Sequence, residues 1–97
     1  GIFYLGTNQG LYRSEWEDLN DDEDFTGFKL VPGTEGQVWA LENIEDIIFV
    51  GHDRGLFILK GNTIEKLSDQ PGVWTVLTYK NYLFTGNYFN KIVFIVF

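Results

Sequence analysis

VWALENIEDIIFVG at residues 38–51 recurs as VWTVLTYKNYLFTG at residues 73–86, thirty-five positions further on and without a gap. Val38-Trp39 falls on Val73-Trp74, Phe49 on Phe84 and Gly51 on Gly86, with apolar Ile48 on Leu83 between them. A second alignment, offset by forty-five, lays IFYLGTNQGLY (2–12) on IIFVGHDRGLF (47–57). There Ile2, Gly6, Gly10 and Leu11 meet Ile47, Gly51, Gly55 and Leu56. The ten-residue difference between the two offsets has a location. EWEDLNDDED, residues 15–24, interrupts the first repeat and has no counterpart in the second.

Inside a repeat the residues read as short strands. IIFV is a continuous apolar run, the pattern of a strand buried on both faces, and Gly51 ends it. GHDRG then suits a hairpin loop that closes on a glycine with positive φ. Lys60-Gly61-Asn62 and Lys80-Asn81 are further tight turns, and no segment has sustained helical periodicity with caps. Four short antiparallel strands per thirty-five-residue unit is the arrangement of a β-propeller blade. A sandwich is the alternative, and the gapless repeat favours the propeller. Strands are expected at about 2–5, 10–14 and 26–31, four across 37–67, then 73–78, 82–86 and about 91–97. The predicted fold is all-β, about two and a half four-stranded antiparallel blades. Residues 1–35 form a partial blade carrying the acidic insertion 15–24, 36–70 a complete blade and 71–97 a partial one. A closed propeller takes at least about four blades, so a fragment of a larger propeller, or closure with further copies, is expected.

Composition narrows the partners. The net charge of −7 is local: residues 15–24 hold seven acids and no base, leaving the remainder neutral. With no basic cluster, nucleic acid is excluded as a partner, and no apolar run is long enough for a membrane-spanning helix. Cysteine is absent, which removes disulfides and thiolate chemistry. Methionine is absent even at position 1, so a matured product or an excised piece is expected. An apolar fraction of 44% and an aromatic fraction of 18% describe a core-forming sequence.

LGTNQGLYR and its echo VGHDRGLFI resemble the repeats of two-component regulator propellers, where a strand ends in Gly-Thr, crosses a short turn and resumes at Gly-Leu. The alternation with VWALENIED and VWTVLTYKN is similar to the same family. The resemblance covers nearly all of residues 2–97 except 15–24; the last repeat departs from it, with Asn90 and Lys91 in place of Gly-Leu. It implies a periplasmic, extracytoplasmic sensor region of a membrane-anchored bacterial signal-transduction regulator. The implied function is ligand binding, an oligosaccharide or another small soluble ligand, without catalysis or cofactor in this segment. A histidine kinase domain would lie elsewhere in such a regulator. The runner-up is a scaffold propeller that docks another protein and takes no small ligand.

The candidate ligand-binding residues lie in the loops that vary where the frame does not. Asn8 and Gln9 in the first repeat, His52, Asp53 and Arg54 in the second, and Asn87 and Tyr88 in the third occupy the turn between second and third strands. In a propeller this rim also carries the inter-blade connections, here with Glu35, Asp69 and Gln70. Loops on a rigid scaffold are where recognition residues concentrate, and these side chains offer donors and acceptors for hydroxyls or a carboxylate. An ordinary solvated turn is the competing reading. Trp39 and Trp74 are expected to pack between blades, with an aromatic sugar platform as the alternative. Adjacent His52 and Asp53 do not aim at one another across a turn, and no nucleophile, HExxH or phosphate loop accompanies them, so no enzyme is expected. Asp18, Asn20 and Asp22 match the start of a calcium loop. Glu23 replaces its required glycine and Lys29 its terminal glutamate, so a solvated insertion on the opposite rim is expected instead, and no metal.

Overall fold

The computed structural model describes residues 1–15, 27–80 and 82–87 and the backbone of 93–96. Among these residues lie ten strands and no helix. They are β1 (Ile2–Thr7), β2 (Gly10–Glu15), β3 (Lys29–Leu30), β4 (Val38–Ile44), β5 (Ile47–His52), β6 (Gly55–Lys60), β7 (Thr63–Ser68), β8 (Thr75–Tyr79), β9 (Tyr82–Gly86) and β10 (Val93–Val96). Three antiparallel meanders result: sheet I is β1-β2-β3, sheet II β4-β5-β6-β7 and sheet III β8-β9-β10. The all-β, antiparallel expectation holds. The sheets do not close into a ring. The third strand is shorter than expected, with only Lys29 and Leu30 on the β2 ladder. Most of the acidic insertion, including the calcium-loop positions 18–23, lies outside the described residues.

The sequence repeats are repeats of register. In sheet II Leu41 pairs with Val50 and Glu42 with Phe49. Thirty-five residues on, Val76 pairs with Thr85 and Leu77 with Phe84. The forty-five offset maps Gly6↔Leu11 and Thr7↔Gly10 onto Gly51↔Leu56 and His52↔Gly55 in the same way. A one-residue slip would turn every apolar side chain to the wrong face, so the alternation pins the pairing. The turns agree. Glu45 and Asp46 both have positive φ (52° and 65°), the backbone of a two-residue hairpin turn of type I′. Lys80, at φ 55°, opens the equivalent turn between β8 and β9.

Packing is face to back along the series of sheets. The forward face of sheet I supplies Leu11, and Tyr4 beside it, to a cluster with Val38, Val50 and Phe57 of sheet II. The opposite face of sheet II supplies Phe49 and Leu56 to a cluster with Val73 and with Val76 and Leu83 of sheet III. Leu11, Leu56 and Leu83 are fully buried, each contributing about 1.5–3 kcal/mol. The repeated glycine at the end of the second strand explains how closely the sheets approach. A Cβ on Gly6 would stand 2.7 Å from the Val38 side chain, and one on Gly51 would stand 2.6 Å from the Val73 carbonyl oxygen. Both valines occupy the same position of the repeat, so one interface is built twice.

Thr85 marks the imperfect copy. It occupies the position of Val50, is 3% exposed, and its hydroxyl finds no partner among the described residues. Thr85→Val should remove an unsatisfied buried hydroxyl at nearly constant volume. A gain of about 1–2 kcal/mol is expected, read as a higher urea midpoint at unchanged slope.

Candidate functional site

One end of the strand series gathers the β1–β2 and β5–β6 turns and the connections from β3 to β4 and from β7 to β8. The connection from β3 to β4 is held there by the Gly36 N–H donating to the Gln9 carbonyl (3.2 Å) and by the Asp53 N–H donating to the Gln37 carbonyl (3.0 Å). The connection from β7 to β8 is held by the Gly72 N–H on the Asp53 carbonyl (2.7 Å) and the Val73 N–H on the His52 carbonyl (3.0 Å). The β5–β6 turn therefore bridges both neighbouring sheets through its backbone.

Its side chains do more of the same. His52 is 1% exposed. Its Nδ1 accepts the Arg54 backbone N–H (3.0 Å), which leaves the ring hydrogen on Nε2 to be donated to the Thr34 carbonyl (2.9 Å). Its ring edge meets Phe57 at 5.8 Å between centroids. Both polar atoms of the ring are thus directed inward. Arg54 is exposed, but its Nη2 donates to the carbonyls of Gly33 (2.6 Å) and Glu35 (3.2 Å), and its guanidinium lies 5.9 Å over Phe57. Asp53 is half-buried and its Oδ1 accepts the indole N–H of Trp39 (2.7 Å).

The other candidates divide by position. Asn8 and Gln9 are exposed at the tip of the β1–β2 turn, which Thr7 closes by donating from its hydroxyl to the Gly10 carbonyl (2.9 Å). Asn87, the equivalent of His52, is 2% exposed and points inward. Tyr88 lies outside the described residues. The β5–β6 turn therefore opens with an inward residue, His52, matched by Asn87 after β9, and the outward face of the rim is formed by Asn8, Gln9, Asp53 and Arg54.

The expectation that Trp39 and Trp74 pack between sheets is corrected. They are 44% and 52% exposed. The reason is local. Ladder pairing passes from Val38↔His52 directly to Ala40↔Gly51, so Trp39 is the extra residue of a β-bulge. In sheet III the Trp74 N–H donates to the Gly86 carbonyl (3.0 Å) while Thr75 also faces Gly86. A bulge re-aims its extra side chain, and here it turns the indole outward while the preceding valine enters the interface. Alternation says only that valine and tryptophan face opposite ways; the bulge decides which of the two enters the interface.

Thr34 had no such signal. It is fully buried, its hydroxyl accepts the Leu11 N–H (3.0 Å) and donates to the Val31 carbonyl (2.7 Å), and its own carbonyl receives His52. The repeat places Asp69 at its equivalent position, so alignment conceals it. Among the described residues no cluster of His, Asp and Glu has the arrangement to hold a metal ion. A cleft between Arg13, Glu15, Lys29 and Asn62 opens at the other end of the strands, away from the rim.

The rim is thus a rigid, hydrogen-bonded platform with two exposed indoles, one of them oriented by a carboxylate. Comparison of the chain with protein-family models, with curated proteins and with solved structures finds no match.

Proposed function

We propose that the three sheets are successive blades of a β-propeller and that the rim binds a small soluble ligand, an oligosaccharide being the class it suits best. The observation that carries this reading is the pair of exposed indoles at equivalent repeat positions, with Trp39 held by Asp53. An indole offers a flat apolar face to the C–H face of a sugar ring, and its fixed orientation lowers the entropy cost of binding. Asp53, Arg54, Asn8 and Gln9 stand on the same rim as hydrogen-bonding groups for hydroxyls. The repeated Gly–Val contact between sheets supports the blade assignment. By its resemblance to two-component regulator propellers, the segment would serve as a non-catalytic periplasmic sensor in a bacterial regulator. The inward binding of His52 and Asn87 moves the weight of the site from those residues to the tryptophans.

Screening the chain on a glycan array, followed by titration of tryptophan fluorescence, tests the reading. Trp39→Ala and Trp74→Ala are each expected to weaken a hit by about tenfold, or about 1.4 kcal/mol. A hit unaffected by both substitutions would place binding elsewhere, and absence of any glycan hit would sink the sugar reading. Tryptophan and arginine also dominate protein interfaces, and exposed Trp39, Trp74 and Arg54 favour a protein-docking scaffold as the second reading. Loss of a protein partner on the same substitutions, with no glycan response, would select it.

A further inference from the structure

The cleft at the end of the strands opposite the rim gathers charges of both signs that the protein does not pair. Arg13 and Glu15 follow Leu11 at two-residue intervals along β2 and so share the forward face of sheet I. Lys29 stands directly opposite Arg13 on the β2–β3 ladder, a like-charge pairing that disfavours the sheet. These three residues line one cleft of about 400 Å³, together with Asn62 of the β6–β7 turn and apolar Leu30 and Pro32. Among the described residues none of the three charged groups forms an ion pair. Every other lysine and arginine of the described residues has a partner: Lys60 on Glu65, Lys66 on Asp69, Arg54 on two carbonyls and Lys80 over the Tyr79 ring.

The volume is that of a small-molecule site. A simple anion would suit Arg13 and Lys29, but it would meet Glu15 in the same cleft and the field of a chain with net charge −7. A ligand that carries both charges satisfies all three groups. We propose that this cleft binds a small zwitterion, an α-amino acid with an apolar side chain. Its carboxylate pairs with the Arg13 guanidinium and the Lys29 ammonium, charge-assisted bonds that also relieve the repulsion between the two cations. Its ammonium pairs with the Glu15 carboxylate, and its side chain lies along Leu30 and Pro32. The Asn62 amide offers both donor and acceptor from sheet II, so a bound ligand bridges two sheets of this chain. The site is independent of the rim's glycan reading, because it lies at the other end of the strands and shares no residue with the rim.

The probe is L-leucine, titrated into the full chain up to about 10 mM, a range that reveals even millimolar affinity. The side-chain resonances of Arg13 and Asn62 should shift saturably in heteronuclear NMR spectra. N-acetyl-L-leucine, which lacks the ammonium, and L-leucinamide, which lacks the carboxylate, should each bind at least about tenfold more weakly. Arg13→Gln and Glu15→Gln should each weaken L-leucine by about tenfold, and their spectra away from the cleft check that each variant folds. No saturable shift with L-leucine, or shifts confined to rim residues, would overturn the inference. So would undiminished binding by either variant, or equal affinity for either blocked leucine, the mark of a site that reads one charge only.

Discussion

Replacing Gly55 by alanine is expected to cost the fold about 3–5 kcal/mol, enough to unfold much of a domain whose total stability is of the order of 5–15 kcal/mol. Two effects add. Gly55 has φ 139°, a conformation that an L side chain rarely adopts, with a strain of about 1–3 kcal/mol. Its Cβ would also lie against the Ser68 carbonyl oxygen, well inside van der Waals contact, and that atom is backbone of the neighbouring strand. Overpacking against backbone adds about 1–3 kcal/mol because nothing nearby yields by rotating. Gly61→Ala is the control. Gly61 also has positive φ, 61°, but an added Cβ would meet nothing within 4 Å, so a loss of only about 1 kcal/mol is expected. Equal losses at the two positions, measured by urea unfolding, would remove the steric part of the explanation.

His52→Ala is the second large effect, with an expected loss of about 3–5 kcal/mol. The ring is buried against Phe57, so truncation leaves a cavity of roughly aromatic size. It also strips partners from the Thr34 carbonyl and the Arg54 N–H, each costing about 1–3 kcal/mol if left dry. Arg54→Ala, by contrast, removes contacts made at the surface and is expected to cost about 1 kcal/mol. The ordering separates a structural staple from a ligand contact. If His52→Ala left stability unchanged, the inward ring would have to be reassigned to the rim's binding function.

Much of the fold was legible because it is repetitive. An apolar alternation that recurs at fixed offsets sets strand boundaries and face assignment together, and Leu11, Leu56 and Leu83 emerged in the core accordingly. The glycines were legible for the same reason, since Gly6 and Gly51 stand where one sheet must approach the next. The site was less legible. Variation among the loops singled out the β5–β6 turn as a place for ligand contacts, whereas its His52 and Arg54 bond carbonyls of the protein itself. It did not distinguish inward from outward members of the loop, because His52 and Asp53 differ by one residue and opposite directions. Thr34 was invisible, since its importance arises from contacts with Leu11 and His52, which are distant along the chain.

What the sequence determined by itself is the local frame: short strands, their antiparallel order, their tight turns and a repeated glycine. These follow from side-chain periodicity and from backbone preferences that act over a few residues. Only the tertiary structure decided which way the repeated tryptophans face, because a β-bulge set by pairing across strands turns them outward. It likewise decided that His52 and Arg54 tie neighbouring sheets together through carbonyls at positions 33–35, since hydrogen-bond partners that far apart meet only when the sheets stack.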